Sequence, residues 1–239
     1  TIGAGAGDVI EFNTGAYPTI TLELRGDATG RITVKPAAGA LVTMNSTSSF
    51  RWIIRNCQYL TIDGSTTNSS ASVPITGAAS RCGFKMTGTG NCTAWIKFSI
   101  LTHLPKHVTI QYVEIAGNNT TGTCIDYNDN NGCRVDDFPN QYREDLAIRY
   151  CYLHDAGGLY IGANYECDET GGLDVPCRRT TIEYNRIIDT TEECLGLKQH
   201  WEGPNYVRFN WFEASGRDSV GSSIDQRNAV SIQNSTAYI

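Results

Sequence analysis

Residues 146–158 read LAIRYCYLHDAGG, residues 180–193 read TTIEYNRIIDTTEE and residues 206–216 read YVRFNWFEASG. Apolar residues recur in the same slots of all three stretches, and a different small polar tail follows each. Aligned on the first inward residue, five rungs start at Ile62 (LTIDG), Ile110 (VTIQYVEI), Ile148 (AIRYCYL), Ile182 (TIEYNRI) and Val207 (VRFNWF). The next inward slot is expected to hold Tyr112, Tyr150, Tyr184 and Phe209. Val113, Cys151, Asn185 and Asn210 come one residue later, and Ile115, Leu153, Ile187 and Phe212 two beyond those. Two successive inward residues break strict alternation, as happens where a strand turns a corner.

The rungs follow one another at intervals of 48, 38, 34 and 25 residues. A helical repeat would space apolar residues by threes and fours, whereas these rungs space them by twos. A constant rung at variable intervals means a fixed coil carrying loops of different length, which is a β-solenoid with insertions at its corners. Second strands fit between the rungs at TAWIKF (93–98), GLYIG (158–162), CLGLK (194–198) and NAVSIQ (228–233). Earlier coils show in DVIEF (8–12), TITLEL (19–24) and RITVKP (31–36). Stacked coils bring like side chains to about 4.8 Å along the axis, so ladders form the core and Asn185 over Asn210 extends an amide ladder. A β-sandwich of short strands competes, but it has no need of one rung with a fixed corner. The expected fold is all-β: one parallel β-helix over residues 1–239, either whole or a segment of a longer solenoid.

Charged residues make up 18% of the chain and the net charge is −6, which gives a nucleic-acid partner no electrostatic support. No apolar run is long enough to span a bilayer, and the opening TIGAGAGDVI has neither the basic nor the apolar region of a signal peptide. Nine cysteines include three closely spaced pairs, Cys82–Cys92, Cys124–Cys133 and Cys167–Cys177, each enclosing a Gly-, Asn- or Asp-rich stretch. Read as disulfides, they staple loop insertions at about 2–3 kcal/mol each and place the protein in an oxidising, extracellular setting. Zinc ligation lacks the usual spacing. Cys57, Cys151 and Cys194 remain over, an odd number, so at least one thiol is free or pairs elsewhere.

GDVIEFNTGAYPTITLELRG, RITVKPAAGALVTM and YLTIDGS, followed by rungs such as IEYNRIIDT, resemble the secreted right-handed parallel β-helix (pectin-lyase-like) superfamily. The likeness covers nearly the whole chain and is closest to bacterial surface and extracellular β-helix repeat proteins. It implies the fold and its right hand, which parallel crossover connections also favour. Function it leaves open, because polysaccharide lyases, glycoside hydrolases, adhesins and structural repeats share the architecture.

Candidate chemistry is scattered. Asn45, Asn68, Asn91, Asn118, Asn119 and Asn234 head N-x-S/T triplets, and Thr190 and Ser219 follow aspartates as in an O-glycosylation signal of exported bacterial proteins. In DYNDNNGCRVDD, Asp126, Asn128 and Asn130 offer oxygens to Ca²⁺, although the spacing departs from an EF-hand and also suits a solvated turn. EECLGLKQHWEG followed by YVRFNWF resembles the lysine-bearing rung of alginate and chondroitin lyases. That resemblance would make Lys198 the base and Arg208 or Arg227 the carboxylate neutraliser, with His200 nearby. Those lyases carry an Arg-His-Gly on a following coil, which this chain lacks, and no Gly-His-Gly of a polygalacturonase occurs. His154-Asp155 is an isolated polar pair, and Trp52, Trp95, Trp201 and Trp211 are candidates for stacking on sugars. The reading favoured here is a secreted structural, surface or filament-forming unit, with no cofactor required. Its coils lack an evident cap, so they are expected either to continue or to associate end to end. A lyase or carbohydrate-binding module is the alternative.

Overall fold

The computed structural model describes residues 4–45, 50–66, 82–87, 92–100, 102–117, 122–127, 141–162, 177–191, 193–198, 200–202, 204–213 and 230–233. Every regular element among them is a strand, and the strands form three sheets with parallel pairing. Sheet A begins with Val9–Phe12, Ile32–Pro36, Gln58–Asp63 and Lys106–Gln111. It continues as split strands: Arg143–Glu144 with Ala147–Arg149, Cys177–Arg178 with Thr181–Glu183, and His200–Glu202 with Tyr206–Arg208. Sheet B stacks Gly15–Tyr17, Val42–Asn45, Phe84–Thr87, Val113–Ala116, Tyr152–His154, Arg186–Ile188 and Trp211–Glu213. Sheet C stacks Ile20–Leu22, Phe50–Arg55, Ala94–Ser99, Thr123–Tyr127, Gly157–Gly162, Leu195–Lys198 and Val230–Gln233. The chain visits A, B and C in rotation, and sheets B and C have 7 strands each, so the described strands make seven coils. This is the arrangement of a parallel β-helix, and the strands lie where the rungs and second strands of the sequence put them.

The core consists of columns running along the axis. In sheet A, Ile10, Val34, Ile62, Ile110, Ile148, Ile182 and Val207 stand in register. In sheet B the column is Tyr17, Met44, Met86, Ile115, Leu153, Ile187 and Phe212. In sheet C it is Ile20, Trp52, Ile96, Ile125, Leu159, Leu195 and Val230. Each buried Ile or Leu contributes about 1.5–3 kcal/mol. Burial is complete in the middle coils and partial at both ends.

The corner between sheets A and B differs from expectation. Tyr112, Tyr150, Tyr184 and Phe209 do not enter the core. Each has a positive φ (55°, 55°, 56° and 57°) and projects from the corner. The left-handed conformation turns the side chain outward and lets the next residue point in: Val113, Cys151 and Asn185 are buried there. That conformation costs about 1–2 kcal/mol per non-glycine residue. Stacking offsets it, with ring centroids 5.0, 5.2 and 5.0 Å apart along the four aromatics. The amide ladder is present: Asn185 Nδ2 donates to Asn210 Oδ1 (3.0 Å) and to the Ile148 carbonyl (2.9 Å), and Asn185 Oδ1 accepts the Cys151 amide (2.9 Å). A second left-handed column, Tyr59, His107, Asp145 and Arg179, bends sheet A and, from the fifth coil on, splits its strands.

The expected disulfide staples are corrected. Cys82 and Cys92 are buried thiols not joined to each other, and Cys124 and Cys177 are buried thiols as well; Cys133 and Cys167 lie outside the described residues. Cys57, Cys151 and Cys194 are also buried. Their role is packing at corners: Cys57 Sγ accepts the Leu24 amide (3.3 Å) and donates to the Leu22 carbonyl (3.2 Å), and Cys92 Sγ donates to the Ala94 carbonyl (3.1 Å). Burial pushes the Cys57 and Cys151 thiols up to about 12. The cysteines therefore carry no argument for an oxidising compartment.

Candidate functional site

Parallel stacking puts equivalent outward positions above one another, so charges on the outer faces meet along the axis. On sheet A one column runs Asp63, Gln111, Arg149, Glu183, Arg208, and Glu11 beside Lys35 begins the same line. Glu11 pairs with Lys35 (3.2 Å), Arg149 Nε donates to Gln111 (2.8 Å) and Arg208 Nε donates to Glu183 (2.9 Å). At the bend, Tyr59 stacks on His107 (4.2 Å), His107 Nδ1 lies 2.7 Å from Asp145, and Arg179 Nε donates to Asp145 (2.6 Å). Beside them Glu144 lies between Lys106 (3.6 Å) and Arg178 (2.7 Å). The Arg179 hydrogen bond holds the Asp145 carboxyl below its usual range, against burial. Positive and negative residues alternate, so this wall neutralises itself.

Sheet B carries an ionic cluster around Glu114, the most deeply buried carboxylate among the described residues. Glu114, 2% exposed, receives Lys85 Nζ at 2.6 Å from the coil before and faces His154 Nε2 at 3.5 Å from the coil after. His154 Nδ1 lies 2.6 Å from Asp155 Oδ2. Burial pulls the imidazole down, but the two carboxylates outweigh it and the His154 pKa is raised; burial pushes Glu114 up, but His154 and Lys85 outweigh it and the pKa is lowered. His154 thus sits between two carboxylates of sheet B and its corner, which favour its protonated form over that of a free imidazole. Further along the same face, Tyr152, Arg186 and Trp211 align. The Arg186 guanidinium sits 5.5 Å from the Tyr152 ring centre, and Trp211, 49% exposed, donates Nε1 to Glu213 (3.0 Å).

The lyase candidates are described only in part. Lys198 ends a strand of sheet C, His200 begins one of sheet A, and Arg208 lies on the outer face of sheet A against Glu183. Only the backbone of Lys198 and His200 is described, and Arg227 lies outside the described residues. Asp126 pairs with Lys97 (2.8 Å) on sheet C, while Asn128 and Asn130 lie outside the described residues. Among the described residues no three His, Cys, Asp or Glu side chains gather as metal ligands. Thr190 is buried, its Oγ1 3.5 Å from Cys194 Sγ. Asn45 ends a sheet B strand, with its side chain outside the description; Asn68, Asn91, Asn118, Asn119, Ser219 and Asn234 lie outside the described residues. Trp52 and Trp95 are buried. No helix among the described residues is long and apolar enough to cross a membrane.

Sequence reading missed Glu114, Lys85 and Arg186. Lys85 and Glu114 are 29 residues apart, so their contact is visible only once sheet B is in register. It also missed the geometry of the first coil, where Ile10, Phe12, Ile20, Leu22 and Leu24 line an open cavity of about 470 Å³. Comparison with protein families, curated proteins and solved structures finds no match to this chain.

Proposed function

We propose that this chain is a secreted, right-handed parallel β-helix of the pectin-lyase-like kind that serves as a rigid structural unit of a cell surface or matrix. The observation that supports this reading best is the pairing of outward charges from coil to coil. β-Elimination needs an uncommitted base and a cation converging on one uronate. Here Lys85, Lys97, Arg178, Arg179 and Arg208 are each engaged by a carboxylate of a neighbouring coil. Such pairs hold coils in register and commit these five cations to neighbouring carboxylates. Glycans on the N-x-S/T triplets outside the described strands fit an extracellular unit.

A carbohydrate-binding face is the second reading, favoured by Tyr152, Arg186 and Trp211 in line on sheet B. The test of the first reading is twofold. Alginate, pectate and chondroitin are incubated with the protein and followed for the ultraviolet absorbance of an unsaturated uronate, and native material is imaged by electron microscopy. No product, together with rods or sheets built from the protein, is expected. A product abolished by Lys198→Ala would establish the lyase instead.

A further inference from the structure

Three phenols stand in file on the outside of the corner between sheets A and B. Gln111, Arg149, Glu183 and Arg208 are in register on sheet A, so the residues that follow them, Tyr112, Tyr150, Tyr184 and Phe209, lie over one another on successive coils. Tyr112 and Tyr150 stack with 5.0 Å between ring centroids and 11° between planes, and Tyr150 and Tyr184 with 5.2 Å and 10°. Among the described residues no other two tyrosine rings are in contact; Tyr59 and Tyr152, for example, stack on histidines. Positive φ values of 55°, 55° and 56° aim the three side chains the same way, so the backbone holds the file as well as the rings do. All three are half-buried, with one side toward solvent. The file is bounded: on the coil before, the position is Gly64, which has no ring, and on the coil after it is Phe209, which has no hydroxyl.

Two phenols held this close are a reactant pair for oxidative coupling. We propose that Tyr150 is a cross-linking site, joined ring to ring with Tyr112 or Tyr184 under a one-electron oxidant of the class of a haem peroxidase with hydrogen peroxide. Each phenol gives up one electron and its hydroxyl proton, and the unpaired electron spreads onto the ring carbons beside the oxygen. Two of these carbons join, and the hydrogen each carried returns as a proton to the oxygen of its own ring. In sum, two ring C–H bonds break and one C–C bond forms, while two electrons and two protons reduce one H₂O₂ to two waters. Fixed neighbours meet without the entropy loss of a bimolecular encounter. Closing the bond asks for a tilt of the two rings, which the broad χ2 well of tyrosine allows. The adjoining thiol is shielded from the radical: Cys151 is fully buried on the other side of the backbone, its Sγ directed at the Arg149 carbonyl (3.4 Å). The bond ties coils whose tyrosines are 38 or 34 residues apart, and it restrains the unfolded chain as a disulfide of that span would. Coupling needs this corner and an oxidant, whatever the chain's other role.

The experiment treats the full 239-residue chain, at high dilution, with a haem peroxidase and hydrogen peroxide, and follows dityrosine fluorescence, intact mass and peptide maps. The expected product is a monomer lighter by two hydrogen atoms, with a peptide joining Tyr150 to Tyr112 or to Tyr184. Tyr150→Phe keeps a ring in the stack and removes the shared partner, so the intramolecular yield is expected to fall at least about tenfold as the advantage of fixed neighbours is lost. Tyr112→Phe should send the link to Tyr184, and Tyr184→Phe should send it to Tyr112. Circular dichroism confirms that each variant keeps its β structure. Absence of a link, a yield indifferent to Tyr150→Phe, or coupling between molecules alone overturns the proposal. So does a link that maps by preference to other members of the chain's 12 tyrosines.

Discussion

Asn185 shows how much one side chain can carry at a corner. It is fully buried, and its amide satisfies the Cys151 N–H and the Ile148 carbonyl while reaching Asn210. Asn185→Ala leaves buried backbone groups without partners at about 1–3 kcal/mol each, so a loss of about 3 kcal/mol in denaturant unfolding is expected. Glu114 is the corresponding charged case. Glu114→Ala strands Lys85 and His154 and should cost about 3 kcal/mol, whereas Lys85, more exposed, is worth less. The same cluster sets a pH window. His154 is raised above its ordinary 6.5, so its contribution is complete below 6.5 and is lost as pH rises through the folded value. Glu114 is lowered from 4.5, so its contribution is complete above 4.5 and is lost as pH falls through the folded value. Both are in force between 4.5 and 6.5. Thermal unfolding should therefore show stability declining on the alkaline side of this window in the wild type and less so in His154→Gln. An unchanged alkaline slope would remove His154 from the account.

At the scale of the element, the corner ladder sets left-handed strain against ring stacking. Tyr150 stacks on Tyr112 and Tyr184 while holding a φ of 55°. Tyr150→Ala keeps the strain and loses both stacks, at about 1–2 kcal/mol. Tyr150→Gly loses the stacks and the strain together, so it is expected to be milder by about 0.5 kcal/mol after its greater unfolded-chain entropy. Equal losses for the two variants would show that the corner is unstrained. The same corner marks the limit of what sequence reveals. The rung and the identity of its inward isoleucines were legible because burial of alternate residues leaves a period of two. The outward turn of Tyr112, Tyr150 and Tyr184 was not, because an apolar ring stacked on its neighbours outside a coil has the composition of a ring inside it. Cysteine spacing misled for a related reason: Cys82, Cys92, Cys124 and Cys177 stand close to chain excursions as small buried residues, and short spacing does not distinguish packing from bridging. Contacts such as Lys85 with Glu114 depend on loop lengths that no local pattern encodes.

At the scale of the molecule, a solenoid is a one-dimensional stack in which each coil is held by its two neighbours. The inner coils hydrogen-bond on both sides: the Gln111 carbonyl accepts from Gly64 toward one neighbour, and the Tyr112 amide donates to the Arg149 carbonyl toward the other. Among the described residues the first coil pairs with the second alone, through contacts such as the Thr33 amide on the Asp8 carbonyl (2.9 Å). Local opening should then follow position along the axis, since an end coil breaks one interface where an inner coil breaks two. In dilute solution, amide exchange is expected to be slowest in Gln58–Asp63, Lys106–Gln111 and Ala147–Arg149 and fastest in Val9–Phe12 and Trp211–Glu213. Exchange uniform along the axis would mean that the stack opens as one unit, with the interface between coils too strong for its ends to fray.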